Sequence, residues 1–153
     1  MQVVILIGLQ AAGKSTFCRE QFFETHIRIN LDMLKTRYRE KLLFQVCLDA
    51  KQPVVIDNTN PTLEDRARYI FPAKSAQFKV TGYYFKSDLQ ECWQRNQKRK
   101  PERIIPKVVV FATYKKIIAP SFAEGFDELY SVQIISEKNK NARLFKVERF
   151  KPR

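Results

Sequence analysis

Residues 3–16 read Val3-Val4-Ile5-Leu6-Ile7-Gly8-Leu9-Gln10-Ala11-Ala12-Gly13-Lys14-Ser15-Thr16, and this stretch decides the fold. An unbroken apolar, mostly β-branched run predicts a strand covered on both faces, as in the middle of a parallel sheet. The residues that follow satisfy G-x-x-x-x-G-K-[ST]. Glycines let the backbone turn so tightly that successive N–H groups point inward at phosphate oxygens. A helix from about Lys14 to Phe23 then adds the positive end of its dipole. Gly8, Gln10, Ala11, Ala12, Gly13, Lys14, Ser15 and Thr16 are therefore the candidate phosphate cradle. Lys14 is expected to neutralise the β- and γ-phosphates, and the Ser15 hydroxyl to ligate Mg²⁺. ATP and Mg²⁺ are the cofactors this arrangement calls for.

Outward from that stretch, strands and helices alternate. Ile27 to Asn30 reads as a second strand, and Leu31 to Ala50 as one long helix with an apolar stripe at Leu34, Tyr38, Leu42 and Val46. Val54 to Ile56 is a third strand ending at Asp57. Thr62 and Asp65 have N-cap and N3 spacing for a helix through about Ile70, although the capping box prefers Glu or Gln at N3. Phe78 to Phe85 is a fourth strand, Asp88 caps a helix to about Gln97, and Pro106 suits the first turn of another to about Ile117. Leu129 to Ile135 supplies a fifth strand. Arg143 to Phe150 either adds an edge strand or packs across the surface. The pattern predicts an α/β fold of the P-loop NTPase type: a doubly wound parallel sheet of about five strands, helices on both faces, and a basic helical lid.

With 153 residues and 44% hydrophobic content, the chain has room for one packed domain spanning 1–153. Val3–Ile7 is too short to cross a bilayer and lacks a basic leader, which argues against a membrane protein and a signal peptide. Cys18, Cys47 and Cys92 are scattered with no CxxC pair, the usage of reduced thiols in a cytoplasmic protein. His26 stands alone, so zinc and a Ser-His-Asp triad are not expected. The formal net charge of +12 favours a polyanionic partner, because the cations cluster at Arg95–Lys107 and Lys138–Arg153.

Four further features bear on chemistry. Asp32 follows the second strand by two residues, at the carboxyl edge of the sheet where ligands bind. It can accept a proton from an attacking hydroxyl, or merely cap its helix. Asp57 resembles a Walker B carboxylate and is the second metal candidate after Ser15; alternatively it orders the Asn58–Asn60 turn. Arg95 and Arg99, four apart in a lid over about 95–107, are candidates for stabilising a transferring phosphoryl group. No Asn-Lys-x-Asp motif is present, against a GTPase, and the length argues against a typical AAA+ module with lid domain and sensor residues.

Laid out in order, these residues resemble the kinase domain of the polynucleotide 5′-kinase family. The matching pieces are Gly8–Thr16, Ile29-Asn30-Leu31-Asp32, Val55-Ile56-Asp57-Asn58-Thr59-Asn60-Pro61, Asp65-Arg66-Ala67-Arg68-Tyr69, Arg95-Asn96 with Arg99, and Ala119-Pro120 followed by Ala123-Glu124-Gly125-Phe126. They run from about residue 3 to 132. The resemblance implies that Asp32 activates a 5′-hydroxyl and that the lid arginines clamp the donor. It implies that Lys35, Asn60 and Arg66 lie toward the acceptor, although Arg66 equally suits a buried ion pair. Two departures stand out: Leu31 where the family often has arginine, and Lys35 where it tends to have another. Lysine cannot reproduce bidentate guanidinium–phosphate contact. An Asp-x-Asp-x-Thr phosphatase motif is absent, so that second activity is not expected in this chain.

The leading expectation is transfer of the γ-phosphate of ATP to the 5′-hydroxyl of a nucleic acid. A small-molecule kinase and a regulatory ATP-binding protein are the alternatives. The oligomeric state is not legible.

Overall fold

Six strands form one sheet in the computed structural model, which describes residues 1–139 and 142–151, without the side chains of 136–143. They are β1 (Gln2–Ile7), β2 (Ile27–Ile29), β3 (Val54–Asp57), β4 (Lys79–Phe85), β5 (Glu128–Asn139) and β6 (Ala142–Arg149). The spatial order is β2-β3-β1-β4-β5-β6. The first five are parallel, and β6 returns antiparallel along β5. The helices are α1 (Lys14–Phe22), α2 (Leu31–Leu34), α3 (Arg37–Asp49), α4 (Leu63–Ser75), α5 (Leu89–Gln97) and α6 (Lys107–Lys116).

Period-two alternation along β1 divides the core. Val3, Ile5 and Ile7 pack with Phe44 and Leu48 of α3 and Tyr69, Ile70 and Ala73 of α4. Val4 and Leu6 pack with Phe17, Cys18 and Phe22 of α1 and Cys92 of α5. Both faces of the sheet are therefore covered, as the apolar run predicted. Each such aliphatic side chain contributes about 1.5–3 kcal/mol on burial. No helix among the described residues is long and apolar enough to cross a membrane.

The structure corrects three sequence expectations. The helix over 31–50 is two helices. Lys35 takes a positive φ of 74°, and Thr36 caps α3 by accepting a hydrogen bond from the Arg39 N–H. The stripe expected to face the core is the wrong one: Tyr38, Leu42 and Val46 are exposed, while Glu40, Phe44, Cys47 and Leu48 are buried. An ion-paired glutamate on the inner face defeats an apolar count. The helix opened by Thr62 runs past Ile70 and through Pro72 to Ser75. Proline offers no N–H there, but Ala73 is fully buried beside it and tertiary packing holds the turn. Of the two alternatives for Arg143–Phe150, the edge strand is the one present: Ala142–Arg149 runs antiparallel along β5 as a sixth strand. The basic tail over 138–153 lies partly outside the described residues, which omit 140, 141, 152 and 153.

Candidate active site

The parallel register puts the P-loop where β1 ends. Gly8 sits so close to β4 that a Cβ would lie 2.9 Å from that of Phe85. Its N–H donates to the Thr59 carbonyl at 3.0 Å, fastening the loop to the turn after β3. Gly13, at φ 96°, is the N-cap of α1, and a Cβ there would crowd Ile134 and Phe145 at 3.0 and 3.1 Å. The long β5–β6 hairpin thus backs the phosphate loop. Lys14 is buried and folds back onto the loop, donating to the Gly8 carbonyl at 2.8 Å and to that of Leu9. Burial pulls its ammonium down from 10.5 to about 8. Asp57, Cys92 and Asp32 oppose that shift and Arg99 adds to it, so all four lie within electrostatic reach of Lys14.

Asp57 pairs in register with Leu6, two residues before Gly8. Its Oδ2 accepts a hydrogen bond from Ser15 Oγ at 2.9 Å and another from Arg28 Nε at 2.8 Å. Ser15 and Asp57, the sequence candidates for the metal, are therefore adjacent. Their hard oxygens suit Mg²⁺. Among the described residues no group of three or more His, Cys, Asp or Glu could cage a metal, so phosphate oxygens and water would complete the shell. Arg28 was not singled out by sequence. Its β2 position signalled only an edge-strand cation.

Asp32 rides on α2, and the cap belongs to its neighbour. Asn30 Oδ1 accepts from the Met33 N–H at 2.9 Å, so the capping role weighed for Asp32 is taken. Asn30 Nδ2 also donates to the Asp57 carbonyl at 2.6 Å, and Asn58 Oδ1 accepts from the Leu31 N–H at 2.8 Å. Behind this shelf, buried Glu40 accepts from Tyr69 Oη at 2.8 Å, Asn58 Nδ2 at 3.0 Å and Arg37 Nη1 at 2.7 Å. Burial and the Glu40 charge push the Tyr69 phenol up to about 12, which keeps it a donor. Beside the network a cleft of about 180 Å³ is lined by Arg37, Glu40, Lys41, Phe44, Arg68 and Tyr69. Its basic rim begins five residues beyond Asp32.

The lid over 95–107 combines the end of α5, a 3₁₀ turn at Pro101–Arg103 and an extended run to α6. Fully buried Asn96 staples it, donating to the Ile105 carbonyl at 2.8 Å and accepting from the Ile105 N–H at 3.1 Å. Arg95 Nε donates to the Ala11 carbonyl at 2.8 Å, so this arginine holds the phosphate loop itself. Gln10 Nε2 donates to Thr113 Oγ1 at 3.1 Å, tying the loop to α6, the helix that follows the lid. A cavity of about 280 Å³ runs past Arg95 between Lys86, Asp88, Glu91 and Gln133 to Ile135.

Two acceptor-side candidates are engaged within the protein. Arg66 is fully buried and bidentate on Glu124, at 2.6 Å from Nε to Oε1 and 3.1 Å from Nη2 to Oε2. Its Nη1 donates to the carbonyls of Asn60, Pro61 and Ile118. Of the two alternatives weighed for it, the buried ion pair is the one present. Asn60, at φ 46° and almost wholly buried, donates Nδ2 to the Leu6 carbonyl at 2.8 Å. It shapes the turn because its short polar side chain tolerates the left-handed region. Lys35 remains exposed beside α2.

A family model described as an AAA domain matches residues 3–120. The chain belongs to the AAA domain family. Among curated relatives, the AAA domain is 29% identical over 141 residues to a bifunctional polynucleotide phosphatase/kinase of Schizosaccharomyces pombe, covering 86% of this chain and 33% of the relative. It is 26% identical over 145 residues to a putative bifunctional polynucleotide phosphatase/kinase of Acanthamoeba polyphaga mimivirus, covering 90% and 34%. The resemblance to the polynucleotide kinase family is borne out by these names. The chain spans about a third of the length of both relatives. Among solved structures, Chaetomium thermophilum Kti12 in complex with ADP-AlF3 superposes with a TM-score of 0.67 at 14% identity, over 89% of this chain and 91% of that one. A gluconokinase from Sinorhizobium meliloti gives 0.59 at 12%, over 89% and 84%. At these identities the likeness shows the fold alone.

Proposed function

We propose that this AAA domain is an ATP-dependent kinase that transfers the γ-phosphate to the 5′-hydroxyl of a polynucleotide. The observation that carries the reading is the Asn30–Asp57 hydrogen bond, which ties two carboxylates with different surroundings to one edge of the sheet next to the phosphate loop. Asp57 is buried against Ser15, whereas Asp32 is exposed at the mouth on a shelf held by Asn30 and Asn58.

In this reading the P-loop N–H groups and Lys14 hold the triphosphate, and Ser15 and Asp57 hold Mg²⁺. When bound, the metal supplies charge neutralisation on the phosphates. Asp32 takes the proton from the 5′-hydroxyl as its oxygen bonds to the γ-phosphorus. The bond from that phosphorus to the β–γ bridging oxygen breaks, and ADP leaves. Arg99 meets the charge on the transferring group, while Arg95 keeps the loop in shape. The cavity past Arg95 suits the nucleobase. The names of the curated relatives support a nucleic-acid acceptor. So do the net charge of +12 and the Arg37, Lys41 and Arg68 rim, which can receive backbone phosphates and to which Lys35 adds a point charge.

Incubation with γ-labelled ATP and 5′-hydroxyl oligonucleotides of DNA and RNA should label the 5′ end, and Asp32→Ala should abolish labelling while ATP still binds. Absence of label across both acceptors and several lengths overturns the reading. Acceptor affinity should also weaken with salt, the association constant falling with a log–log slope of about −0.7 per neutralised phosphate of a single strand.

A further inference from the structure

Asp57 is the buried end of a three-residue contact that metal binding does not by itself explain. The carboxylate belongs to a residue with 2% side-chain exposure, yet Arg28 opposite it is 38% exposed. Arg28 Nε donates to Asp57 Oδ2 at 2.8 Å, while its Nη2 reaches Ser15 Oγ at 3.5 Å. The guanidinium charge also partly counters the upward shift that burial imposes on the Cys18 thiol, one turn further along α1. One cation thus lies across the first turn of α1 and covers both oxygens assigned to the metal.

A buried carboxylate without a counter-charge is costly. Lys14 is withdrawn onto the Gly8 and Leu9 carbonyls, whereas Arg28 is in direct contact with Asp57. A divalent metal at Ser15 and Asp57 and a guanidinium on the same Oδ2 repel each other, and the part-exposed arginine can swing out into solvent.

We propose that Arg28 is the resident counter-ion of Asp57, displaced by the metal, so that metal enters with the nucleotide rather than ahead of it. The proposal rests on Ser15 and Asp57 being the metal oxygens. Without nucleotide, the metal must displace an arginine already in contact. With nucleotide, phosphate oxygens supply further ligands to the metal and a new anionic partner to the guanidinium, and the obstruction weakens. Apparent metal affinity in the empty state is then divided by the fraction of molecules in which Arg28 is swung away.

Mn²⁺ binding followed by electron paramagnetic resonance tests this without any turnover. Wild type, Arg28→Gln and Asp57→Asn are titrated with Mn²⁺ alone and with Mn²⁺ plus a non-hydrolysable ATP analogue. Arg28→Gln keeps an N–H donor near the Nε position but removes the charge and the Nη reach to Ser15, and should tighten nucleotide-free Mn²⁺ binding about tenfold, as expected if Arg28 covers the site about 90% of the time. The gain should shrink when the analogue is present. Arg28→Lys, which retains a cation without the planar fork, should fall between, and serves if the glutamine variant does not fold. Unchanged or weaker nucleotide-free binding in both Arg28 variants overturns the proposal. A gain that persists in full with the analogue overturns the ordering. If wild type holds no Mn²⁺ even with the analogue, or Asp57→Asn binds it equally well, the metal assignment itself falls and the proposal with it.

Discussion

Asn30 donates its side-chain amide to the backbone carbonyl of Asp57 at 2.6 Å, tying the helix that carries one candidate carboxylate to the strand that carries the other. The same asparagine caps α2 through its Oδ1. One side chain therefore sets the spacing between proton acceptor and metal oxygens.

Asn30→Ala should lose about 1 kcal/mol of stability from the missing cap and much more in catalysis. A displacement of about 1 Å at a reacting group costs on the order of 10²-fold in rate. Turnover should fall by that amount while ATP affinity changes little, because the P-loop does not depend on Asn30. Single-turnover kinetics with a nucleotide-binding assay check this. Parallel losses of affinity and turnover would assign Asn30 to general stability.

Arg66 and Glu124 supply a prediction about folding. The pair is buried, bidentate and connected to carbonyls in two other segments. Removing one partner leaves an uncompensated charge, so Arg66→Ala should cost about 3–5 kcal/mol in urea unfolding. Arg66→Lys should recover only part of this, because an ammonium cannot fork across both carboxylate oxygens. In any Arg66 variant that stays folded, acceptor KM should be little changed. A specific rise in acceptor KM would restore the substrate role.

That pair also marks the limit of what sequence disclosed. Asp65–Tyr69 and Ala123–Gly125 are each visible as blocks, but nothing in either says that Arg66 and Glu124 meet across 58 residues. Local signals were readable: the β1 apolar run, the glycines of the phosphate loop, and the Thr62 and Asp88 caps. So were Asp32, Asp57 and Lys14, because strand ends in a parallel sheet converge on one edge. Arg28, Glu40 and the Asn30–Asn58 exchange depend on inter-strand register and helix rotation, which linear spacing does not encode. The exposed stripe at Tyr38, Leu42 and Val46 is the same failure in reverse.

The two lid arginines should separate in kinetics. Arg95 is hydrogen-bonded to the Ala11 carbonyl, so Arg95→Ala should loosen the phosphate loop and weaken ATP binding about tenfold, the loss of one charge-assisted hydrogen bond. Arg99 acts electrostatically on Lys14, and Arg99→Ala should instead reduce turnover by about 10³-fold or more with a smaller change in ATP affinity. Equal effects of the two variants on kcat and KM would refute this division of labour.

Lys14 gives a pH signature whose sign is fixed by burial. Its ammonium deprotonates near 8 in the folded, nucleotide-free protein, against 10.5 as the ordinary value. Between these values the unfolded chain holds a proton that the folded chain has released, so this group's contribution to stability rises with pH across the window. Nucleotide binding runs the other way, because the triphosphate favours the ammonium and binding above pH 8 must take up a proton. ATP affinity should be flat below about pH 8 and then fall by up to about tenfold per pH unit. Calorimetry in two buffers of different ionisation enthalpy should report uptake approaching one proton above pH 8 and little below pH 7. Uptake that does not vary with pH would mean that Lys14 keeps its proton in the empty loop, with the carbonyls of Gly8 and Leu9 compensating for burial.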